Sequence, residues 1–245
     1  MRTVTTLGTL ANNYTFVIES DGQAVVVDPG EASPALRALE RSGSRLLAVV
    51  CTHSHFDHTG GSEDLSLRTG CEVRIPDSSP GDVQLAFGPI AMTMLKTPGH
   101  SADSVCLYLP STQEQPGDIF TGDTLFVGGC GRIFGHSPET MWTSLQRLAA
   151  LPDDTRVYSG HDYALENYEF ALTLEPDNSV VKARLEEIRT LVESGQPTVP
   201  STIAQERASN PFLRAIDPAL KRAVGMENAS DVEVFAEIRR RKDRF

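Results

Sequence analysis

Residues 52–61 read Thr-His-Ser-His-Phe-Asp-His-Thr-Gly-Gly, and they follow directly on the apolar run 46–50, Leu-Leu-Ala-Val-Val. Three imidazoles and a carboxylate fall within positions 53–58. The whole chain has six histidines, so this one hexapeptide holds half of them. Nitrogen and oxygen donors at such density are what a hydrolytic metal centre needs. A merely solvated His-rich segment would not have to follow a buried strand. Gly60 and Gly61 add backbone freedom just beyond, at a strand end, where functional sites are commonly built.

Working outward, the N-terminal part alternates strand-like runs with turns. Residues 24–27 form an apolar run closed by Asp28-Pro29-Gly30. Ser33-Pro34 predicts a helix start, with Ser33 as the cap, Pro34 at the first helical position and Gly43 past the end. Further strands are predicted over 71–75, 90–97, 105–109, 119–120 and 156–158, with a second helix opening at Ser137-Pro138. Beyond about residue 163 the strand signals stop. Helices are predicted over 163–174, 178–194, 201–208 and 231–242, the second with Val181, Leu185, Ile188, Leu191 and Val192 on one face. Strands first and helices after give an α/β or α+β body over 1–162 and a helical C-terminal domain over 163–245.

Three more candidate ligands follow strand ends, each beside a glycine: His100 in TPGH, Asp123 in FTGD and His161 in YSGH. Singly, each reads more readily as a hydrogen-bonded loop or turn residue. Together with His53, His55, Asp57 and His58 they make five histidines and two aspartates converging on one rim, enough for two metals. His136, the sixth histidine, reads as a surface loop residue. Asp28 also ends a strand, either as a turn residue or as a carboxylate that orients a ligand histidine.

Composition excludes several functions. A formal net charge of −11 disfavours a nucleic-acid groove and an anionic membrane surface. No run of residues reaches transmembrane length, and the N-terminus lacks the apolar core of a secretory signal. Cys51, Cys71, Cys106 and Cys130 are scattered without a C-x-x-C pair and read as buried free thiols, consistent with the cytoplasm. The run Arg239-Arg240-Arg241-Lys242 suits a solvated helix C-terminus, or an anion clamp, since Arg239 and Lys242 share a helix face.

HSHFDH, TPGH, TGD and SGH in this order resemble the metallo-β-lactamase superfamily. Within it, VVDPG, GGCGR, FALTLEPDN, PTVPST, NPFLR and RRRKD are similar to glyoxalase II, the hydroxyacylglutathione hydrolases. The resemblance implies an αβ/βα sandwich of α+β class with its site at the rim. It implies that His53, His55 and His100 hold one divalent ion, that Asp57, His58 and His161 hold another, and that Asp123 bridges them. Zinc is the expected metal, with iron and manganese as alternatives. The implied chemistry is attack on a thioester carbonyl by a metal-bridging hydroxide, with Asp57 and Asp123 as the catalytic carboxylates. The implied substrate is S-D-lactoylglutathione, cleaved to glutathione and D-lactate in the second step of methylglyoxal detoxification. Arg132, Tyr163, Arg239 and Lys242 are implied to bind its glutathione part. Phe134 stands where relatives can carry a tyrosine. A monomeric enzyme is expected. The alternative on the same scaffold is a glutathione persulfide dioxygenase with a single iron, for which GGCGR-like text is shared.

Overall fold

The computed structural model describes residues 1–79 and 81–245. Its first sheet runs in the order β1 (Thr3–Thr9), β2 (Asn13–Ser20), β3 (Gln23–Val27), β4 (Arg45–Val50), β5 (Glu72–Arg74). β1, β2 and β3 pair antiparallel, while β3, β4 and β5 pair parallel. β6 (Val83–Phe87), β7 (Ile90–Lys96), β8 (Val105–Leu109) and β9 (Asp118–Gly122) begin the second sheet, and a short hairpin of β10 (Leu125–Phe126) and β11 (Gly129–Cys130) follows. β12 (Arg156–Ser159) and β13 (Ser201–Thr202) complete the second sheet, whose order is β13-β12-β9-β8-β7-β6. The sheets stack through Phe16, Ile18, Val25, Val27 and Val50 on one side and Met92, Leu107, Phe120 and Tyr158 on the other.

Helices cover both outer faces, so strands such as β3, buried on both sides, read as continuous apolar runs rather than alternating ones. The outer face of the first sheet (Val17, Val26, Val49) packs on α1 (Ala32–Ser42) and on α3 (Ser62–Thr69), which follows the one-turn helix α2 (Phe56–Thr59). The outer face of the second sheet (Leu95, Cys106, Ile119, Val157) packs on α4 (Pro138–Ala149) and on helices of the last third of the chain. Those are α5 (Ala164–Leu174), α7 (Ile203–Ser209), α8 (Pro218–Ala223) and α9 (Asp231–Lys242), whereas α6 (Ser179–Glu193) packs Val181, Leu185 and Ile188 against the cluster between the sheets. The architecture is therefore the αβ/βα sandwich with a helical C-terminal region. No helix among the described residues is long and apolar enough to cross a membrane.

Ser137 caps α4 as predicted, accepting from the Thr140 N–H, and Ser230 opens α9 through a capping box with Glu233. α1 instead begins at Ala32, with Glu31 as its cap and no side-chain bond. Pro34 fits inside that first turn because the first N–H groups of a helix have no partner to lose. Strand signals do not end at 163: Ser201 and Thr202 pair with β12, and Thr202 then caps α7. Val192 is exposed, leaving Val181, Leu185 and Ile188 as the buried stripe of α6.

Candidate metal centre

Four strand ends deliver the seven predicted donors to one rim: β4 carries residues 53–58, β7 leads to His100, β9 to Asp123 and β12 to His161. His53, His55 and His100 offer atoms within 4.8 Å of one another, as do Asp57, His58 and His161, and as do His53, His58 and Asp123. Asp123 lies between the two triplets. Its Oδ2 is 3.5 Å from His100 Nε2 and 3.4 Å from His161 Nε2, and its Oδ1 is 3.4 Å from His58 Nε2. The neighbouring glycines are required by this crowding. A Cβ on Gly131 would meet Asp123 O at 2.0 Å, and one on Gly160 would meet His58 Cε1 at 2.7 Å.

The protonation pattern shows that the donors suit a cation. His53 Nδ1 faces Thr52 Oγ1 at 3.1 Å, and that hydroxyl already donates to Asp28 Oδ2. His58 Nδ1 faces Asp28 Oδ2 at 3.0 Å, His100 Nδ1 faces Arg132 O at 3.0 Å, and His161 Nδ1 faces Asn12 Oδ1 at 3.1 Å. Each of these four outer nitrogens thus has an acceptor for its proton, so the Nε2 atoms of His53, His58, His100 and His161 are the ones free to bind a cation. Those atoms face inward: His53 Nε2 is 3.0 Å and His100 Nε2 3.1 Å from His55 Nδ1, and His58 Nε2 is 3.3 Å from His161 Nε2. Asp123 Oδ1 is buried with no hydrogen-bond partner. Converging lone pairs and an orphaned carboxylate oxygen repel one another unless positive charge lies among them. The donor set therefore suits a divalent metal.

Burial pushes the His53 imidazole down to about 3 and lowers His100 as well, keeping both neutral as ligands must be. Burial would raise the Asp123 carboxyl, but the His161 and His58 imidazoles beside it outweigh that and hold the group well below the usual range. Asp28 is the orienting carboxylate: it is buried, accepts from Thr52 N at 2.7 Å, and holds His58.

Three supporting residues carried no sequence signal. Asn12 and Asn13 sit at the β1–β2 turn, far from the other ligands in the chain. Asn12 orients His161, and Asn13 Nδ2 donates to Asp57 Oδ2 at 3.0 Å. Asp103 accepts from Ser54 N at 3.0 Å and from Ser101 Oγ at 2.7 Å, tying the 53–58 loop to the His100 loop. Short polar residues in turns are common without function, so only the fold reveals these roles.

A cleft of about 470 Å³ opens over the cluster. The predicted donors His55, Asp57, His100, Asp123 and His161 line its floor. Arg132, Phe134, Tyr163, Glu166, Arg239 and Lys242 line its walls. All four predicted substrate contacts thus reach one cavity. Their freedom differs. Arg239 is buried and bound to Cys130 O at 2.8 Å and to Asp243 Oδ1 at 2.9 Å, which bolts α9 to β11. Lys242 pairs with Glu166. Arg132 is exposed and makes no ion pair among the described residues. Tyr163 stacks on His161, with ring centroids 4.9 Å apart and 7° between planes. Phe134 packs edge-on to His100 at 5.3 Å and His55 at 6.1 Å, beside two predicted donors as well as the cleft wall. All four cysteines are buried and free. Burial pushes the Cys130 thiol up to about 11, so it is inert as a nucleophile.

This fold and rim define a metallo-β-lactamase superfamily protein, and the model of that superfamily matches residues 8–81 and 75–161. Among solved structures, the chain is similar to ETHE1 from Myxococcus xanthus at 25% identity and TM-score 0.65, covering 97% of this chain and 90% of that one. It is also similar to TTHA1623 in a di-iron-bound form, at 26% identity and TM-score 0.57, covering 86% of this chain and 100% of that one. The model of the hydroxyacylglutathione hydrolase C-terminus matches residues 162–245. A hydroxyacylglutathione hydrolase of Cereibacter sphaeroides is 43% identical, with 98% of both chains covered. The chain belongs to the hydroxyacylglutathione hydrolase family.

Proposed function

We propose that this chain hydrolyses S-D-lactoylglutathione and related 2-hydroxyacyl glutathione thioesters to glutathione and the free acid, D-lactate for the named substrate. This is the second step of methylglyoxal detoxification, placed in the cytoplasm and carried out by a monomer. The observation that carries the reading is one cleft joining a full seven-donor cluster to cationic walls, in a chain of this family. His53, His55 and His100 would hold one divalent ion, Asp57, His58 and His161 a second, and Asp123 would touch both. Zinc suits this mixed nitrogen and oxygen set, and iron or manganese would also fit. When bound, such ions supply hydroxide at neutral pH and polarise a carbonyl.

The chain's own residues do the rest. Asp57, half-buried and steered by Asn13, directs a free carboxylate edge into the cleft as a hydrogen-bond acceptor for the attacking water. Lys242 and Arg132 neutralise the substrate carboxylate, Arg239 fixes the wall they share, and Tyr163 packs along the peptide. The thiolate leaves without prior protonation, because a thiol is acidic enough (pKa ~8.5) to depart as its anion. No acid is therefore needed at the leaving-group side.

The alternative, a single-iron persulfide dioxygenase, is disfavoured by the completeness of the second donor set and by 43% identity to a hydroxyacylglutathione hydrolase over 98% of both chains. The decisive assay follows S-D-lactoylglutathione decay by purified protein, with elemental analysis of the same sample. Thioester cleavage with two ions per chain is expected. Oxygen uptake with glutathione persulfide, one iron per chain and no thioester cleavage would overturn the proposal.

A further inference from the structure

Glu166 lies in the first turn of α5, and its carboxylate reaches across the cleft wall to Lys242 Nζ on α9. The two halves of this pair are held unequally. The Lys242 side chain is 8% exposed, and its ammonium also stands 5.6 Å from the Phe170 ring and 4.9 Å from the Phe245 ring. Two aromatic faces fix the cation in place. The Glu166 side chain is 60% exposed and, among the described residues, makes no other ion pair or hydrogen bond. One partner is anchored and the other is free to swing into solvent.

Resting on the reading above, in which the cleft takes a glutathione thioester, the substrate brings a carboxylate of the same charge and size as the Glu166 side chain. The mostly buried ammonium lies against two rings, and Glu166 is its one ion-pair partner among the described residues. We propose that Glu166 is a specificity-determining residue, a resident carboxylate that occupies the anion position on Lys242 and is displaced by the substrate's own carboxylate. Between turnovers the pair spares Lys242 the cost of a buried, uncompensated charge. During binding the exchange costs part of what Lys242 gives a carboxylate, so Glu166 narrows the advantage of an acid over a neutral ligand. A ligand must deliver a carboxylate and further contacts to exchange with Glu166, whereas a neutral ligand leaves the pair intact and gains nothing from Lys242.

The test uses the metal-loaded enzyme, S-D-lactoylglutathione and its counterpart with the glycine carboxylate converted to an amide. Glu166→Gln is expected to lower KM for the acid by about two- to five-fold, the range for a partly exposed ion pair. The amide should show no such gain, so the acid-to-amide preference rises. In a Lys242→Ala background Glu166→Gln should then do nothing. An unchanged or raised KM for the acid in Glu166→Gln, with Lys242→Ala still raising it, would refute the exchange and leave the cleft reading standing. If Arg132→Ala combined with Lys242→Ala leaves the acid's KM unaltered, the cleft reading itself fails and the exchange fails with it. A merely structural role for Glu166 would move acid and amide together.

Discussion

At the scale of single residues, the candidate metal centre depends on groups outside its seven donors. Asp28 accepts from His58 Nδ1 and from Thr52 Oγ1, which in turn accepts from His53 Nδ1, so one buried carboxylate sets the tautomer of two ligands. Asp28→Asn replaces an acceptor with a group that can also donate. We expect metal affinity to fall by about 10–100-fold, measured by chelator competition, with the fold retained by circular dichroism. Unchanged affinity would mean the tautomers are set elsewhere. Gly160→Ala tests crowding instead of charge. Its Cβ would lie 2.7 Å from His58 Cε1 and 2.8 Å from Asp123 Oδ1, and His58 cannot readily retreat because Asp28 holds its Nδ1. Loss of at least one metal and a fall in kcat of about tenfold or more are expected. Full metal content by elemental analysis would show that the rim can relax. The convergence of the seven candidate donors was legible in the sequence because histidines are few in this chain and stand with the aspartates at strand ends beside glycines. Asn12, Asn13 and Asp103 were not, because a hydrogen bond between distant turns leaves no mark in either segment.

At the scale of elements, strong caps and apolar runs were readable and weak ones were not. β3, β4, α4 and α9 announce themselves by continuous burial or a capping Ser. β1, β6 and the β10–β11 hairpin are short, half-exposed or glycine-rich, and their pairing is decided by partners elsewhere in the chain. The hairpin matters, since it carries the cleft wall. Glu206 of α7 holds it from behind: Oε2 accepts from Gly128 N and from Asn210 Nδ2, both at 2.9 Å. Burial raises the Glu206 carboxyl above its ordinary 4.5, with the nearby Ser201 hydroxyl and the hydrogen bonds from Asn210 and Gly128 only partly opposing it. The folded protein therefore binds this proton more readily than the unfolded chain. The sign follows: this group's favourable contribution is complete below pH 4.5 and is lost as pH rises through the higher folded value. Glu206→Gln keeps an oxygen for Gly128 and Asn210 and removes the charge. Its Tm at pH 7 should equal or exceed that of the parent, with the difference shrinking toward pH 4.5. A lower Tm at pH 7 would show that the charged form is the stabilising one.

At the scale of the whole molecule, the helical region is part of the core that supports the sheet. Ile119 and Val157 of the second sheet share a cluster with Phe212, Leu220, Phe235 and Ile238, and the Trp142 and Phe235 rings lie 5.7 Å apart. β13, from the same region, pairs with β12, the strand that ends at His161. The composition could suggest a helical appendage after residue 163, but it could not show that both regions draw on one apolar cluster. Each large side chain in that cluster stabilises by roughly 1.5–3 kcal/mol when buried. Removing residues 163–245 uncovers several at once, against a total stability of about 5–15 kcal/mol for a typical protein. We expect the fragment 1–162 to bind a hydrophobic dye strongly, to lose sharp thermal unfolding and to hold no stoichiometric metal, because the strand end bearing His161 is no longer braced. Phe235→Ala makes the same argument in the full chain, with an expected loss of about 3–5 kcal/mol in denaturant unfolding. A monomeric fragment with cooperative unfolding and two bound ions would show that the sandwich stands alone and that the C-terminal helices serve only the substrate.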